Sequence, residues 1–340
     1  MRAIVLHEPG PPEHLRLEER ERPTPGPGEA LVRVRAAGVC YRDCIDRRGG
    51  FPFMKRPVVP GHELAGEVVA VGDGVEIAPG SRVVNVHRAP CGACRYCNAG
   101  EEPRCERSSA MFGLTIDGAY AEHVLAPAGS LVPLPAEIEH AQGCFLACTA
   151  GVALRALERH AKLRPGETVL VTGASGGVGL HALGVARALG AHTIAVTSSE
   201  AKAAELTRRG ADEVVCSPAL DFHKEVRART GGGVDVVLDC VGTPTLNASV
   251  RSARPLGRVV VAGNVTTERF ALNPGWIILS EVSIAGTSGC SRADLTRVLA
   301  WVAEGRLTPA LAERLPLERA ADAHRMLEEK AVTGRLVLEP

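Results

Sequence analysis

The sequence predicts an α/β protein: a β-rich first unit with long loops, followed by a doubly wound parallel sheet. Three observations carry this reading. Up to about residue 140, short apolar runs of strand length alternate with Pro/Gly-rich breaks such as "RPTPGPGE", and helical periodicity is scarce. From residue 168 onward, short apolar strands alternate with helix-length segments, the pattern of βαβ units. Between the first of these strands and its helix stands "GASGGVG".

Taken in order, residues 3–6, 30–34, 68–71 and 82–86 read as strands of the first unit, the last two around "GDGVEIAPG". The pattern changes near residue 141, and 141–160 is Ala/Leu-rich and helical in pattern. Then come strand 168–172, the helix "LHALGVARALG", strand 193–197, helix 200–209, strand 213–216, helix 222–230, and strands 234–239 and 258–262. The tail, 288–340, holds helix and a final strand, "GRLVLEP", and is expected to pack back on the first unit.

A chain of 340 residues has room for two domains. Lys and Arg balance Asp and Glu at 39 each, so the net charge argues for neither nucleic acid nor an anionic membrane as partner. The opening "MRAIVLHEPG" has an apolar run too short for a signal-peptide core, and no run is long enough to span a bilayer, so a cytoplasmic location is expected. In that setting eleven cysteines point to metal binding or buried thiols rather than to a disulfide framework.

In "GASGGVG", Ala174, Ser175, Gly176, Gly177, Val178 and Gly179 follow a strand and open a helix. Small residues there let the backbone approach a pyrophosphate, which the helix N-terminus favours, so the turn is expected to bind a dinucleotide. The second strand ends in Thr197, where NAD sites usually carry an acid; Ser198, Ser199 and Lys202 follow. Without that carboxylate a 2′-phosphate meets no repulsion and Lys202 can pair with it, which favours NADPH over NADH. A solvated Lys202 with Glu200 turned inward is the alternative.

"CGACRYCNAGEEPRC" places Cys91, Cys94, Cys97 and Cys105 in one polar segment, a donor set for a closed tetrahedral zinc site. Cys40, His62 and Cys148 lie far apart in sequence, yet two Cys and one His make a zinc set that leaves a fourth position open. Asp43 can orient His62 through its other ring nitrogen, and Glu63 can serve as an alternative ligand. From the residues alone, simple burial of His62 and Cys148 stays open.

"GVCYRD", "PGHE", the four-cysteine loop, "GASGGVG" and the Cys148 segment, in that order, resemble the zinc-containing medium-chain dehydrogenase/reductase superfamily over essentially the whole chain. The resemblance implies a GroES-like catalytic domain, 1–149 with 288–340, and a Rossmann domain, 150–287, with the active-site cleft between them. It implies two zinc ions per chain: one on Cys40, His62 and Cys148 with Glu63 as an outer candidate, the other on the four-cysteine loop. Cys144 competes for the third place in the first set, but the spacing to "RAL" fits Cys148. "DCVGTPT" and "GNV" add Val241, Gly263 and Asn264 as cofactor contacts. A homodimer or homotetramer, paired along the edge that "RFALNPGWIILSEVSIAG" supplies, is implied as well.

The departures from the alcohol dehydrogenase pattern are informative. Alcohol-oxidising members place Ser or Thr two residues after the first zinc cysteine; this chain has Arg42. Cys40-Tyr41-Arg42-Asp43 resembles instead a zinc cysteine set in the frame of C=C reductases, and the motifs look most like acryloyl-CoA reductases. The implied activity is reduction of a short, linear or branched enoyl-CoA thioester, such as dimethylacrylyl-CoA to isovaleryl-CoA. Cys40, His62, Asp43 and Tyr41 are the expected catalytic residues. Tyr41 stands in as proton donor because Phe51 occupies the place where related enoyl reductases carry Tyr. Arg47, Arg48, Lys55 and Arg56 are candidates for the CoA phosphates. A zinc alcohol dehydrogenase or aldehyde reductase, and a non-catalytic NADPH-binding protein, are the alternatives.

Overall fold

The computed structural model describes residues 1–266 and 268–340 and divides the chain into two compact units. The first comprises Met1–Gly151, Gly289–Gly305 and Pro309–Pro340; the second comprises Val152–Ser288 and Arg306–Thr308. Along the chain the strands are β1 (Arg2–Leu6), β2 (Leu15–Glu19), β3 (Glu29–Val39), β4 (Glu63–Val71), β5 (Arg82–Asn85), β6 (His123–Pro127), β7 (Leu131–Pro133) and β8 (Thr168–Val171). They continue with β9 (His192–Thr197), β10 (Glu213–Cys216), β11 (Val234–Asp239), β12 (Ala253–Val261), β13 (Ser283–Gly286), β14 (Leu311–Pro316) and β15 (Arg335–Glu339).

In the first unit β1 and β2 form an antiparallel pair, and a larger sheet runs β14-β15-β3-β4-β5-β7 with β6 also on β3. β3 is its centre. One edge of β3 pairs with β4 along its length; the other pairs first with β6 and then, at Ala37 to Val39, with β15. Register shifts between Leu31 and Val32 and between Val34 and Ala36 bend the strand, which lets two neighbours share one edge. Ile4, Val32, Leu64, Phe112, Leu336 and Leu338 are buried in this unit's core, each stabilising it by roughly 1.5–3 kcal/mol.

A helix, Tyr41–Arg47, follows β3 directly, where the sequence shows no helical periodicity. The reason is its composition: Asp43, Cys44, Asp46 and Arg47 are its buried residues, so no apolar stripe marks it. Cys40 caps it, and Asp43 at the third position closes a reciprocal capping box with Cys40.

The second unit is a six-stranded parallel sheet ordered β10-β9-β8-β11-β12-β13. The chain steps outward from β8 to β10 and then returns to the other side of β8, so the winding reverses between β8 and β11. Gly176 caps the helix Gly177–Ala188. A Cβ on Gly179 would stand 2.4 Å from the Gly173 carbonyl oxygen, so this helix can lie against the turn only because that residue is glycine. The stretch 141–160, expected as one helix, is a short helix His140–Gly143 followed by π-helical turns at Ala147–Gly151 and Arg155–His160. The wide turns fall where one unit gives way to the other, and such bulges are frequent at functional sites. No helix among the described residues is long and apolar enough to cross a membrane.

Candidate active site

Sheet register builds the site in the first unit. Gly38 pairs with Glu63 across β3 and β4, and Val39 pairs with Leu336 across β3 and β15. Cys40, His62 and Arg335, one residue beyond these pairs, therefore arrive at one end of the sheet. Asn85, ending β5, clamps the backbone there: it accepts from the Leu64 amide at 2.8 Å and donates to the His62 carbonyl at 3.0 Å. The turn Ala147–Gly151 supplies Cys148, whose sulphur lies 3.4 Å from His62 Nε2. Ligand atoms of Cys40, His62, Glu63 and Cys148 all lie within 4.8 Å of one another. Cys144 does not join them; its thiol donates to the Ala141 carbonyl.

This cluster suits a divalent cation. Glu63 Oε1 is buried with no hydrogen-bond partner, 3.8 Å from His62 Nε2, while Oε2 is held by Arg335. A Cβ on Gly38 would fall on that carboxylate, so the glycine opens the space it occupies. Burial pushes the Glu63 carboxyl up to about 7 against the pull of Arg335. Cys148 and then His62 hold the Cys40 thiol well below its usual range, while Cys40 pushes Cys148 well above it. Burial and the Arg42 charge push the His62 imidazole down, yet Asp43 and Cys40 outweigh them and lift it to about 10. The surroundings of Nε2 thus call for positive charge, which a metal with Cys and His ligands supplies.

Asp43 orients the histidine. Its Oδ1 accepts from His62 Nδ1 at 2.8 Å, which turns Nε2 toward Cys148 and Glu63. Its Oδ2 accepts from the Cys40 amide at 3.0 Å and from the Tyr120 hydroxyl at 3.1 Å. Burial opposes ionisation of Asp43, but His62 and then Arg42 hold it well below the usual carboxylate range. Tyr120 in turn meets His324 Nε2 at 3.3 Å. Gly61 makes room for that ring: it has φ +93°, and a Cβ there would lie 2.3 Å from the Tyr120 ring.

Arg42 is committed to its neighbours. It donates to His87 Nε2 at 3.1 Å and to the Phe112 carbonyl at 3.3 Å, and its Nε pairs with Asp46 at 3.3 Å. The His87 ring stands edge-on to His62 with centroids 5.1 Å apart, and burial followed by the Arg42 charge keeps it neutral. Tyr41 meets Arg48, whose guanidinium lies 5.7 Å over its ring. Arg47 is turned inward: it is 2% exposed, donates to the Gly10 carbonyl and pairs with Glu328, so it cannot meet CoA phosphates. Arg335, Tyr120, His87 and His324 escape sequence reasoning, since none of them belongs to a ligand motif. The glycine of "PGHE" is the sequence signal that could have pointed to the close approach of Tyr120.

The four cysteines of the loop converge separately. Sulphur pairs stand 3.5 Å (Cys94 and Cys97), 3.9 Å (Cys91 and Cys97) and 4.0 Å (Cys94 and Cys105) apart. Four thiolates about 2.3 Å from one zinc would be roughly 3.8 Å apart, so the loop fits the ion. The Cys97 amide, followed by that of Glu106, brings the Cys94 thiol down to about 6.

In the second unit the expected cofactor residues gather at the carboxyl ends of the parallel strands, where open α/β sheets bind ligands. Ala174, Ser175, Gly176, Gly177, Val178 and Gly179 follow β8 into the helix. Thr197 ends β9 and accepts from the Ser199 amide at 3.2 Å, with Ser198 exposed between them and Lys202 closing the next turn. Glu200 is exposed, and its carboxylate pushes up the Cys216 thiol at the end of β10. Val241 and Asn264 follow β11 and β12; the Val265 amide donates to the Val241 carbonyl, and Asn264 accepts from the Thr243 amide. A Cβ on Gly263 would stand 2.6 Å from the Cys240 carbonyl oxygen.

Comparison with known proteins places this architecture. The alcohol dehydrogenase GroES-like domain matches residues 26–136, and the zinc-binding dehydrogenase domain matches 177–304. An acryloyl-coenzyme A reductase of Metallosphaera sedula is 39% identical, with 99% of each chain covered. The chain belongs to the zinc-containing medium-chain dehydrogenase/reductase family. As a member of that family it is an NAD(P)H-dependent oxidoreductase with a GroES-like and a Rossmann-type unit. Another family member, an NAD-dependent alcohol dehydrogenase of Sulfolobus acidocaldarius, is 34% identical over 100% of this chain and 99% of its own. The crystal structure of AibC superposes with a TM-score of 0.94 at 43% identity, covering 100% of this chain and 96% of that one.

Proposed function

We propose that the protein reduces the C=C bond of a short enoyl-CoA thioester with NADPH, and that dimethylacrylyl-CoA, giving isovaleryl-CoA, is among its substrates. The observation that carries this is Arg42. Two residues after Cys40, a position where alcohol oxidation uses a relay hydroxyl, stands a guanidinium bound to His87, the Phe112 carbonyl and Asp46. Full-length similarity to an acryloyl-CoA reductase supports the same reading.

When bound, the nicotinamide supplies hydride for the β-carbon, and zinc in the Cys40–His62–Cys148 cage supplies Lewis acidity toward the thioester carbonyl. The remaining work falls to the chain. Asp43 fixes the His62 ring, and Arg335 holds Glu63 at the cage. Arg42 adds a fixed positive charge beside the cage, which favours the enolate-like charge of conjugate reduction. Tyr41, as proton donor to the α-carbon, would exchange its contact with Arg48 for one with substrate. Arg48, Lys55 and Arg56 remain for CoA phosphates.

Two zinc ions per chain and a preference for NADPH belong to the same reading. The second rests on Thr197 at the end of β9, where no acid stands, and on Lys202 after it. A homodimer or homotetramer through β13 is supported by its place at the sheet edge and by Ile278 and Leu279 beside it, 71% and 86% exposed.

The test is a steady-state assay of linear and branched enoyl-CoAs with NADPH and NADH, beside a panel of alcohols with NADP. Enoyl-CoA turnover faster with NADPH is expected. Turnover of alcohols alone returns the chain to the alcohol dehydrogenases. Tight NADPH binding with no turnover, and one zinc per chain, would make it a non-catalytic binding protein. Light scattering of the purified protein checks the oligomer.

A further inference from the structure

We propose that Tyr120 and His324 are positioning residues for His62, acting through Asp43, so that the C-terminal helix Ala320–Glu328 controls how tightly the Cys40–His62–Cys148 cage keeps its metal. The inference rests on reading that cage as a metal site.

The hydrogen bonds run in one direction. An ionised Asp43 only accepts, so the single proton of the Tyr120 hydroxyl goes to Oδ2. His324 Nε2, 3.3 Å from the same hydroxyl oxygen, must then donate to it. That leaves His324 Nδ1 as a bare lone pair, and Nδ1 is the buried atom of this ring without a partner. On its other oxygen Asp43 accepts from His62 Nδ1, which aims Nε2, the atom that would hold the metal, at Cys148 and Glu63. Donation therefore converges on Asp43 from His324 through Tyr120 and from His62.

The chain is dry. Tyr120 and His324 are 0% exposed and Asp43 is 2% exposed, so no water can replace a lost donor without rearrangement. A carboxylate so buried keeps one orientation only while its acceptor sites are filled. Without the Tyr120 hydroxyl, Oδ2 retains only the Cys40 amide, and the bond that aims His62 loses its anchor. The Tyr120 ring meets His324 edge-on, centroids 6.0 Å apart, and the 118–120 segment is bonded to 59–61 through the Gly118, Ala119 and Tyr120 amides. Tyr120 is thus fixed to the same backbone that carries His62.

The experiment measures metal retention, with the four-cysteine loop as internal reference. Parent, Y120F, H324L and H324Q proteins are loaded with zinc and titrated with a chelator, and the cage is also filled with cobalt for its absorption spectrum. Outer hydrogen-bond partners of metal ligands typically change affinity 10–100-fold; for residues one step further out, Y120F and H324L are expected to weaken one of the two metals by about 10-fold. They should also shift the cobalt bands, with the second metal unchanged. H324Q keeps a donor near the position of Nε2 and should retain metal like the parent. The proposal is overturned if Y120F and H324L hold both metals as the parent does, or if both metals loosen together. A parent that holds one metal, in the loop alone, overturns the metal reading of the cage itself.

Discussion

Replacing His324 with Gln should remove an acid-sensitive contribution to stability. Burial holds this imidazole down at about 4, from an ordinary 6.5, with the charge of Arg47 adding to burial and that of Asp43 opposing it. The native state keeps His324 neutral, while the unfolded chain protonates it below about 6.5. Between pH 6.5 and 4 the unfolded state binds more protons, so stability is complete above that window and falls as the pH drops through it. The gap from 6.5 to about 4, at ~1.4 kcal/mol per pH unit, amounts to roughly 3 kcal/mol, of which about 2 kcal/mol is lost by pH 5. Gln cannot titrate but can still donate to Tyr120. Urea unfolding of zinc-saturated parent and H324Q proteins from pH 7.5 to 4.5 reads the difference directly. The parent should lose about 2 kcal/mol more than the variant between pH 7.5 and 5. Parallel curves would refute the reasoning, because they would mean that His324 carries the same charge in both states and does not donate from a neutral ring.

Arg42→Thr strips partners from His87, the Phe112 carbonyl and Asp46, and should cost about 2–4 kcal/mol in denaturant unfolding. The same variant should lower kcat for enoyl-CoA reduction by at least about 10-fold, read in single-turnover assays with saturating substrate. Gly61→Ala places a Cβ 2.3 Å from the Tyr120 ring at φ +93°; a thermal melt should show at least about 2 kcal/mol of destabilisation. Cys105→Ser should cut bound zinc from two ions to one, measured by elemental analysis, while the remaining ion keeps its chelator resistance.

The fold was legible where residue type and period agree. β11, Val234–Asp239, coincides with its expected strand because all six residues are buried and four of them, Val234, Val236, Val237 and Leu238, are apolar. "GASGGVG" is legible because a turn pressed against a helix tolerates only small residues, as Gly179 shows. The helix Tyr41–Arg47 was not, since its inward face is Asp, Cys and Arg, with Asp43 and Arg47 bonded to partners elsewhere in the chain. The stretch 141–160 misled in the opposite way: its Ala/Leu content suits any helical winding, and composition does not distinguish an α-helix from π-helical turns.

The candidate site divides along the same line. The sequence by itself supplied candidate donor sets, because Cys, His and Glu carry the atoms metals require, while leaving simple burial of His62 and Cys148 open; it also marked Arg42 as a departure, because a guanidinium cannot do a hydroxyl's work. Only the tertiary structure decided which groups govern those ligands. Arg335 reaches Glu63 because β15 lies beside β3, and His324 reaches Asp43 through Tyr120 because the C-terminal helix packs against Tyr41–Arg47. Such partners carry no motif: any donor delivered by strand register and helix packing can fill them, so their positions become visible only once the chain has closed on itself.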